Sequence, residues 1–125
     1  MPLQKPTEKD YYLPILDTLR SFGGTADLDE IRLSVRPFLR SDTKYLDEPA
    51  GVKTKETRFD KDLNWAGKRL GDAGLVHKAR THWELTEEGR RNFFTAKTLT
   101  LLCDLAGKSV KSRKKLIHDV TVLRS

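Results

Sequence analysis

Cysteine occurs once in the 125 residues, at Cys103. A lone cysteine excludes an intramolecular disulfide and a cysteine-based zinc site. It fits a reducing compartment, most simply the cytoplasm. No apolar run approaches the ~20 residues that span a bilayer, so no membrane partner is expected. The opening MPLQKPTEKD does not read as a signal peptide. The three histidines, His77, His82 and His118, have no metal-ligand spacing with Cys103 or with one another. Paired acid and base groups, an activated nucleophile and a metal set are all missing, so neither an enzyme nor a cofactor is expected. Repeats and low-complexity runs are absent too.

Charge is plentiful: 34 % of residues are charged and 37 % hydrophobic, the net charge is +6 and the pI about 9.5. The length suits one compact domain with a small core. The excess of positive charge favours a polyanionic partner mildly, and its placement says more. Residues 1–52 carry a slight acidic excess, whereas 53–91 and 92–125 are each basic.

The apolar periodicity predicts a mainly helical chain with a small β-hairpin. Thr7 suits the N-cap of a first helix, and Tyr12, Ile15, Leu16, Leu19 and Phe22 form its stripe. Pro14 inside that pattern marks either a kink or a late helix start, and Gly23-Gly24 ends it. Thr25-Ala26 suits a very short strand. Asp27 caps a second helix with Leu28, Ile31, Val35 and Leu39 on one side, and Phe38 widens that stripe. RSDTKYLDEPAGVKTK reads as a surface loop with one helical turn near Tyr45-Leu46. Thr57 caps a third helix whose stripe is Phe59, Leu63, Ala66 and Leu70, closed by Gly74. Two short strands, 76–78 and 82–85, flank a turn at 79–81. Thr86 starts the next helix. Further helical segments follow after Phe94, separated near Gly107. Helix, short strand, helix, long helix and hairpin is the order of a winged helix-turn-helix, here with a C-terminal helical extension.

On a helical wheel with Phe59 at zero, Asn64, Lys68 and Lys61 fall opposite the stripe, near about 140°, 180° and 200°. Arg58 and Arg69 lie on the flank. Such a helix buries one face and offers donors on the other: lysine for phosphates or guanine edges, asparagine for adenine. Asp60 interrupts this face, and either accepts from a cytosine amino group or pairs with a neighbouring lysine. A solvated face of this composition is also the ordinary outside of a helix. The hairpin strengthens the functional reading, because Lys78, Arg80 and His82 cluster at its tip, where a wing reaches a minor groove or a flanking phosphate. Trp65, off the main stripe, reads as packing against the hairpin or the second helix rather than as a base-stacking platform. Trp83 reads as core. The basic cluster Arg113–Lys115, with Lys108 and Lys111, either touches phosphate or forms the wet face of a helix that buries Val110, Ile117 and Val120 against a partner chain.

The segments YYLPILDTLRSFGG, GGTADLDEI, RFDKDLNWAGKRLGDAGLV and HWELTEEGR together resemble the amino-terminal winged-helix domain of Mrr-type restriction endonucleases, over about residues 6–94. The most specific pieces are Arg-Phe-x₅-Trp-Ala-x₃-Leu-x₃-Gly-Leu at 58–75 and Trp-x-Leu-Thr-x-x-Gly at 83–89. The resemblance implies a DNA-binding module whose cutting partner is a separate carboxy-terminal nuclease domain of the PD-(D/E)xK type. Residues 95–125 hold no glutamate and no Asp…(Asp/Glu)-x-Lys set, so binding without cleavage is expected.

The expectation is therefore a domain at 6–94 and a helical extension at 95–125 that serves as a dimerisation element. Double-stranded DNA is the ligand, met by Lys53, Lys55, Arg58, Lys61, Asn64, Lys68, Arg69, Lys78 and Arg80. A homodimer through the C-terminal helices and a separate nuclease subunit are the expected protein partners. The role is that of a regulator or a recognition subunit of a restriction or defence system. The alternative is a winged helix that docks on protein and touches no nucleic acid.

Overall fold

The computed structural model describes residues 5–39, 43–91 and 95–106. A 3₁₀ turn, Glu8–Tyr11, leads into α1 (Tyr12–Ser21). The Thr7 backbone N–H donates to the Asp10 carboxylate at 2.8 Å and so fixes the entry. Pro14 falls in the first turn of α1, where a missing N–H breaks no intrahelical bond. Of the two readings of this proline, the late helix start is the one observed.

Strand β1 (Thr25–Asp27), α2 (Leu28–Val35) and a second 3₁₀ turn (Arg36–Leu39) follow, then the short α3 (Thr43–Leu46). Next come α4 (Arg58–Asp72), β2 (Val76–Lys78), β3 (His82–Leu85), α5 (Glu87–Arg91) and α6 (Ala96–Ala106). The Thr57 side chain accepts from the Asp60 N–H at 3.1 Å and caps α4. Gly74, at φ 80°, turns the chain out of α4 in the left-handed region that glycine enters without strain.

The sheet has three strands in the order β1-β3-β2, all antiparallel. Ala26 pairs with Trp83, and Trp83 with Lys78. Trp83 and Leu85 face the core while His82 and Glu84 face out, the alternation a half-buried strand requires. The result is a winged-helix-like, mainly helical fold with a small hairpin.

One apolar core joins Tyr11, Ile15, Leu16 and Leu19 to Ile31 and Val35, to Phe59, Leu63, Ala66 and Leu70 of α4, and to Trp83 and Leu85 of β3. Leu99, Leu102 and Cys103 of α6 belong to the same core, so the start of the C-terminal extension packs on the domain. Val110, Ile117, Val120 and the Arg113–Lys115 cluster lie outside the described residues.

Two expected core positions are corrected. Phe38 is 62 % exposed, because the chain tightens into the 3₁₀ turn at Arg36 and the α-helical register of α2 no longer applies. Phe22 is also exposed; it is the C-cap residue of α1, where the stripe has run out.

Burial pushes the Cys103 thiol up to about 12, with the Glu8 charge adding to the effect and the contact with the Tyr12 hydroxyl opposing it. Tyr12 in turn donates to Glu8, whose carboxylate meets Arg69 of α4 at 3.6 Å. Docking of α6 therefore makes a thiol reagent at pH 8 see almost no thiolate. Alkylation by iodoacetamide, read by mass spectrometry, should be at least ~100-fold slower in the native protein than in denaturant. Rapid native labelling would show that α6 is not held on the core.

Candidate nucleic-acid interface

Helix α4 is two-faced, as its sequence requires. Phe59, Leu63, Ala66, Gly67 and Leu70 are buried, whereas Lys61, Trp65, Lys68 and Arg69 are exposed and Asn64 is half-buried. One contact between the hairpin and α4 dictates the residue on the helix. The Trp83 indole lies across the backbone of Gly67, so that a Cβ there would fall 2.5 Å from its Cη2. Only a glycine leaves room for the ring, and this brings β2 beside the outer face of α4.

The junction between α4 and β2 gathers the polar groups. Lys78 Nζ donates to the Asn64 carbonyl at 3.1 Å and lies 5.5 Å from the centre of the Trp83 ring. Lys68 Nζ lies 5.0 Å from the centre of the Trp65 ring. Burial holds the Lys78 ammonium below the usual lysine range, and the nearby Lys68 charge lowers it further. Glu56, Asn64, Trp65, Lys68 and Lys78 line a shallow concavity of about 140 Å³. Glu56 is its single carboxylate, with Oε1 3.5 Å from the Asn64 Nδ2 that donates to it. Two ammonium groups thus converge on one opening, and neither has an ion-pair partner within 4.0 Å among the described residues.

The other candidates are placed differently. Lys61 is exposed on α4, and Lys53 and Lys55 are exposed on the loop before it. That loop is closed at its base by the Pro49–Thr57 bridge and by an Ala50 N–H bond to the Glu56 carbonyl. Arg58 is engaged by Glu48 at 3.1 Å and stacks on Tyr45, while Arg69 faces Glu8 across from the 3₁₀ turn. Arg80, at the hairpin tip, lines a separate cleft with Asp27, Leu28, Asp29 and Thr81. The Thr81 carbonyl accepts from the Leu28 N–H at 3.0 Å and ties the tip to the start of α2. Asp60 pairs with Arg32 of α2 at 3.0 Å, so its partner is an arginine and not the expected lysine. The Asp60 carboxylate is thereby taken up in a clamp between α2 and α4.

Two lining residues escape a reading of the sequence. Trp65, expected to pack, is 44 % exposed, while Trp83 is 1 % exposed. The signal that separates them is Gly67, two positions after Trp65, which admits the other indole. Glu56 gives no sequence signal, because the fold of its loop alone brings it to Asn64.

The specific motifs also acquire a mechanical meaning. Thr86 Oγ1 donates to the Gly74 carbonyl at 2.6 Å and accepts from the Gly89 N–H at 3.1 Å. Its own N–H donates to the Leu75 carbonyl at 3.0 Å. Leu-Thr-x-x-Gly therefore latches the start of α5 onto the turn that ends α4. Gly89 sits directly against the Leu75 carbonyl, where a side chain has no room.

These features define a winged-helix-like domain whose long helix and hairpin share a basic surface. A family model described as the Mrr N-terminal domain matches residues 9–95, and the chain belongs to that family. The family ties it to restriction systems. No curated protein and no solved structure matches it significantly. Among the described residues no group of three or more metal-ligating side chains occurs, and no helix is long and apolar enough to cross a membrane.

Proposed function

We propose that this chain is a non-catalytic duplex DNA-binding domain of a restriction-related system, with α4 presented to the major groove and the 76–85 hairpin as its wing. The observation that carries the reading is the convergence of Lys68 and Lys78 beside Asn64. Two like charges held close, one of them partly desolvated, are unfavourable without an anion between them. A DNA phosphate supplies that anion, and it adds a ligand to which the exposed Lys61, Lys53 and Lys55 are also attracted. Arg58 and Arg69, each engaged by a glutamate, contribute less. Arg80 lies further out, where the hairpin tip meets a flanking phosphate.

Measuring duplex affinity by anisotropy across a salt series tests this. With four to five lysines on phosphates, log K should fall with log salt at a slope of about −4, at ~0.9 per phosphate. A flat dependence, or no binding of duplex at low salt, would overturn the proposal. The Glu56 carboxylate opposes the same ligand. Glu56→Gln should therefore tighten duplex binding about threefold in the same assay, the size of a weakly screened repulsion at a protein surface. Unchanged or weaker binding would place the DNA elsewhere.

A protein-docking role is favoured by a different surface. Leu33 on α2 is 77 % exposed and Phe38 on the following turn 62 %. Exposed apolar groups of this size suit a protein contact, and a nuclease subunit would draw on such a face rather than on α4, with the homodimer formed through the C-terminal helices.

A further inference from the structure

Trp65 is an anomaly on the surface just described. In so small a core a tryptophan is a large source of burial, yet this one stays half in water while every other contributor to its concavity is polar: Glu56, Asn64, Lys68 and Lys78. The lysines suit phosphates and purine acceptors, and the Asn64 amide suits the N6 and N7 atoms of adenine. An indole offers those acceptors only its single Nε1–H, and the rest of the ring is apolar. The floor of the major groove presents one apolar feature, the C5-methyl group of thymine. The Lys68 ammonium lies over the ring, 5.0 Å from its centre, so one face is taken by a cation. The exposed rim of the indole beside that ammonium is an apolar edge of a size to meet a methyl.

We infer that Trp65 is a specificity-determining contact that reads the methyl group of a thymine in the major groove, next to the base read by Asn64. The inference rests on the duplex DNA reading above and adds to it the base preference: sites containing A·T pairs at the position facing the α4–β2 junction.

The test uses the full chain and two duplex pools with the same randomised core, one synthesised with thymine and the other with uracil. The pools differ only in the methyl, since the hydrogen-bonding groups of the two bases are identical. At protein concentrations that capture only the tightest members, the wild type should bind the thymine pool about fourfold better, the worth of one buried methyl. The bound thymine pool should be enriched in A·T pairs. Trp65→Ala should bind both pools equally. Trp65→Gln, which keeps a helix-favouring side chain and removes the apolar edge, gives the same comparison should the alanine variant fold poorly. Equal binding of both pools by the wild type overturns the inference and leaves the duplex reading standing. So does a thymine preference that survives in Trp65→Ala or Trp65→Gln. Binding of neither pool overturns the duplex reading and the inference together. Preference for single-stranded competitor, with strong quenching of the exposed Trp65 fluorescence, identifies a stacking platform and likewise overturns it.

Discussion

Replacing Gly67 with alanine should destabilise the protein by about 1–3 kcal/mol, although the same change in an ordinary helix interior stabilises by roughly 0.8–1 kcal/mol. Two effects of opposite sign compete. Alanine reduces the entropy lost in forming the helix, but its methyl would fall 2.5 Å from Cη2, 2.8 Å from Cζ3 and 2.9 Å from Cζ2 of Trp83. Trp83 is fully buried and cannot swing away without lifting β3 from the core. Overpacking therefore wins. All three atoms belong to the outer ring of the indole, which phenylalanine lacks. In a Trp83→Phe background, itself less stable, Gly67→Ala should cost much less or become favourable. The coupling between the two positions should be on the order of 1–2 kcal/mol. Thermal or urea unfolding of the four proteins of this cycle measures it, each kcal/mol appearing as roughly 4 °C in Tm for a chain of this size. If the two changes are simply additive, the indole does not lie on Gly67, and the placement of the hairpin beside α4 fails with it.

The double variant Lys68→Ala, Lys78→Ala should weaken duplex binding on the order of 100-fold at low ionic strength and about equally for every sequence. Each lysine that neutralises a phosphate contributes ~0.9 to the salt slope, which between ~1 M and ~0.05 M salt is a factor of about 15 per phosphate. The factors for the two lysines multiply. The slope should flatten by about two, one for each residue. Both side chains are outside the apolar core, Lys68 exposed and Lys78 lying over the hairpin, so the fold should survive and circular dichroism should be unchanged. Arg69→Ala supplies the contrast. Its guanidinium is already engaged by Glu8, and its loss should change the slope by much less than one. A double variant that binds with an unaltered slope would remove the α4–β2 junction from the interface.

The boundaries of α4 and of the hairpin are legible in the sequence because several local signals agree there. Thr57 caps, Phe59 to Leu70 keep one stripe, and Gly74 stops the helix before two short strands. Pairing of β1 with β3 is not legible. Thr25–Asp27 is three residues long, shows no alternation that distinguishes it from a loop, and its register, Thr25 opposite Glu84, is set by distant parts of the chain. The expected loop at 41–56 conceals a closed lobe for the same reason. Side-chain direction is legible only inside regular helix. The stripe of α2 holds through Val35 and fails at Phe38, where the turn tightens. For Trp65 and Trp83 the apolar character is identical, and the choice of which one enters the core is made by a glycine on α4 and the register of β3. The expected arginine contacts meet a similar limit, since Glu8 and Glu48 come to Arg69 and Arg58 only through tertiary packing.

The middle place of β3 has a consequence for how the molecule is made. A nascent chain that has emerged only as far as α4 lacks the central strand to which β1 must bond, so the ladder groups of Thr25–Asp27 stay bonded to water until about residue 85 is free. Closure then joins segments separated by most of the domain, a slow step by the loop that must be ordered. A message cut short before that codon would yield no partial sheet at all.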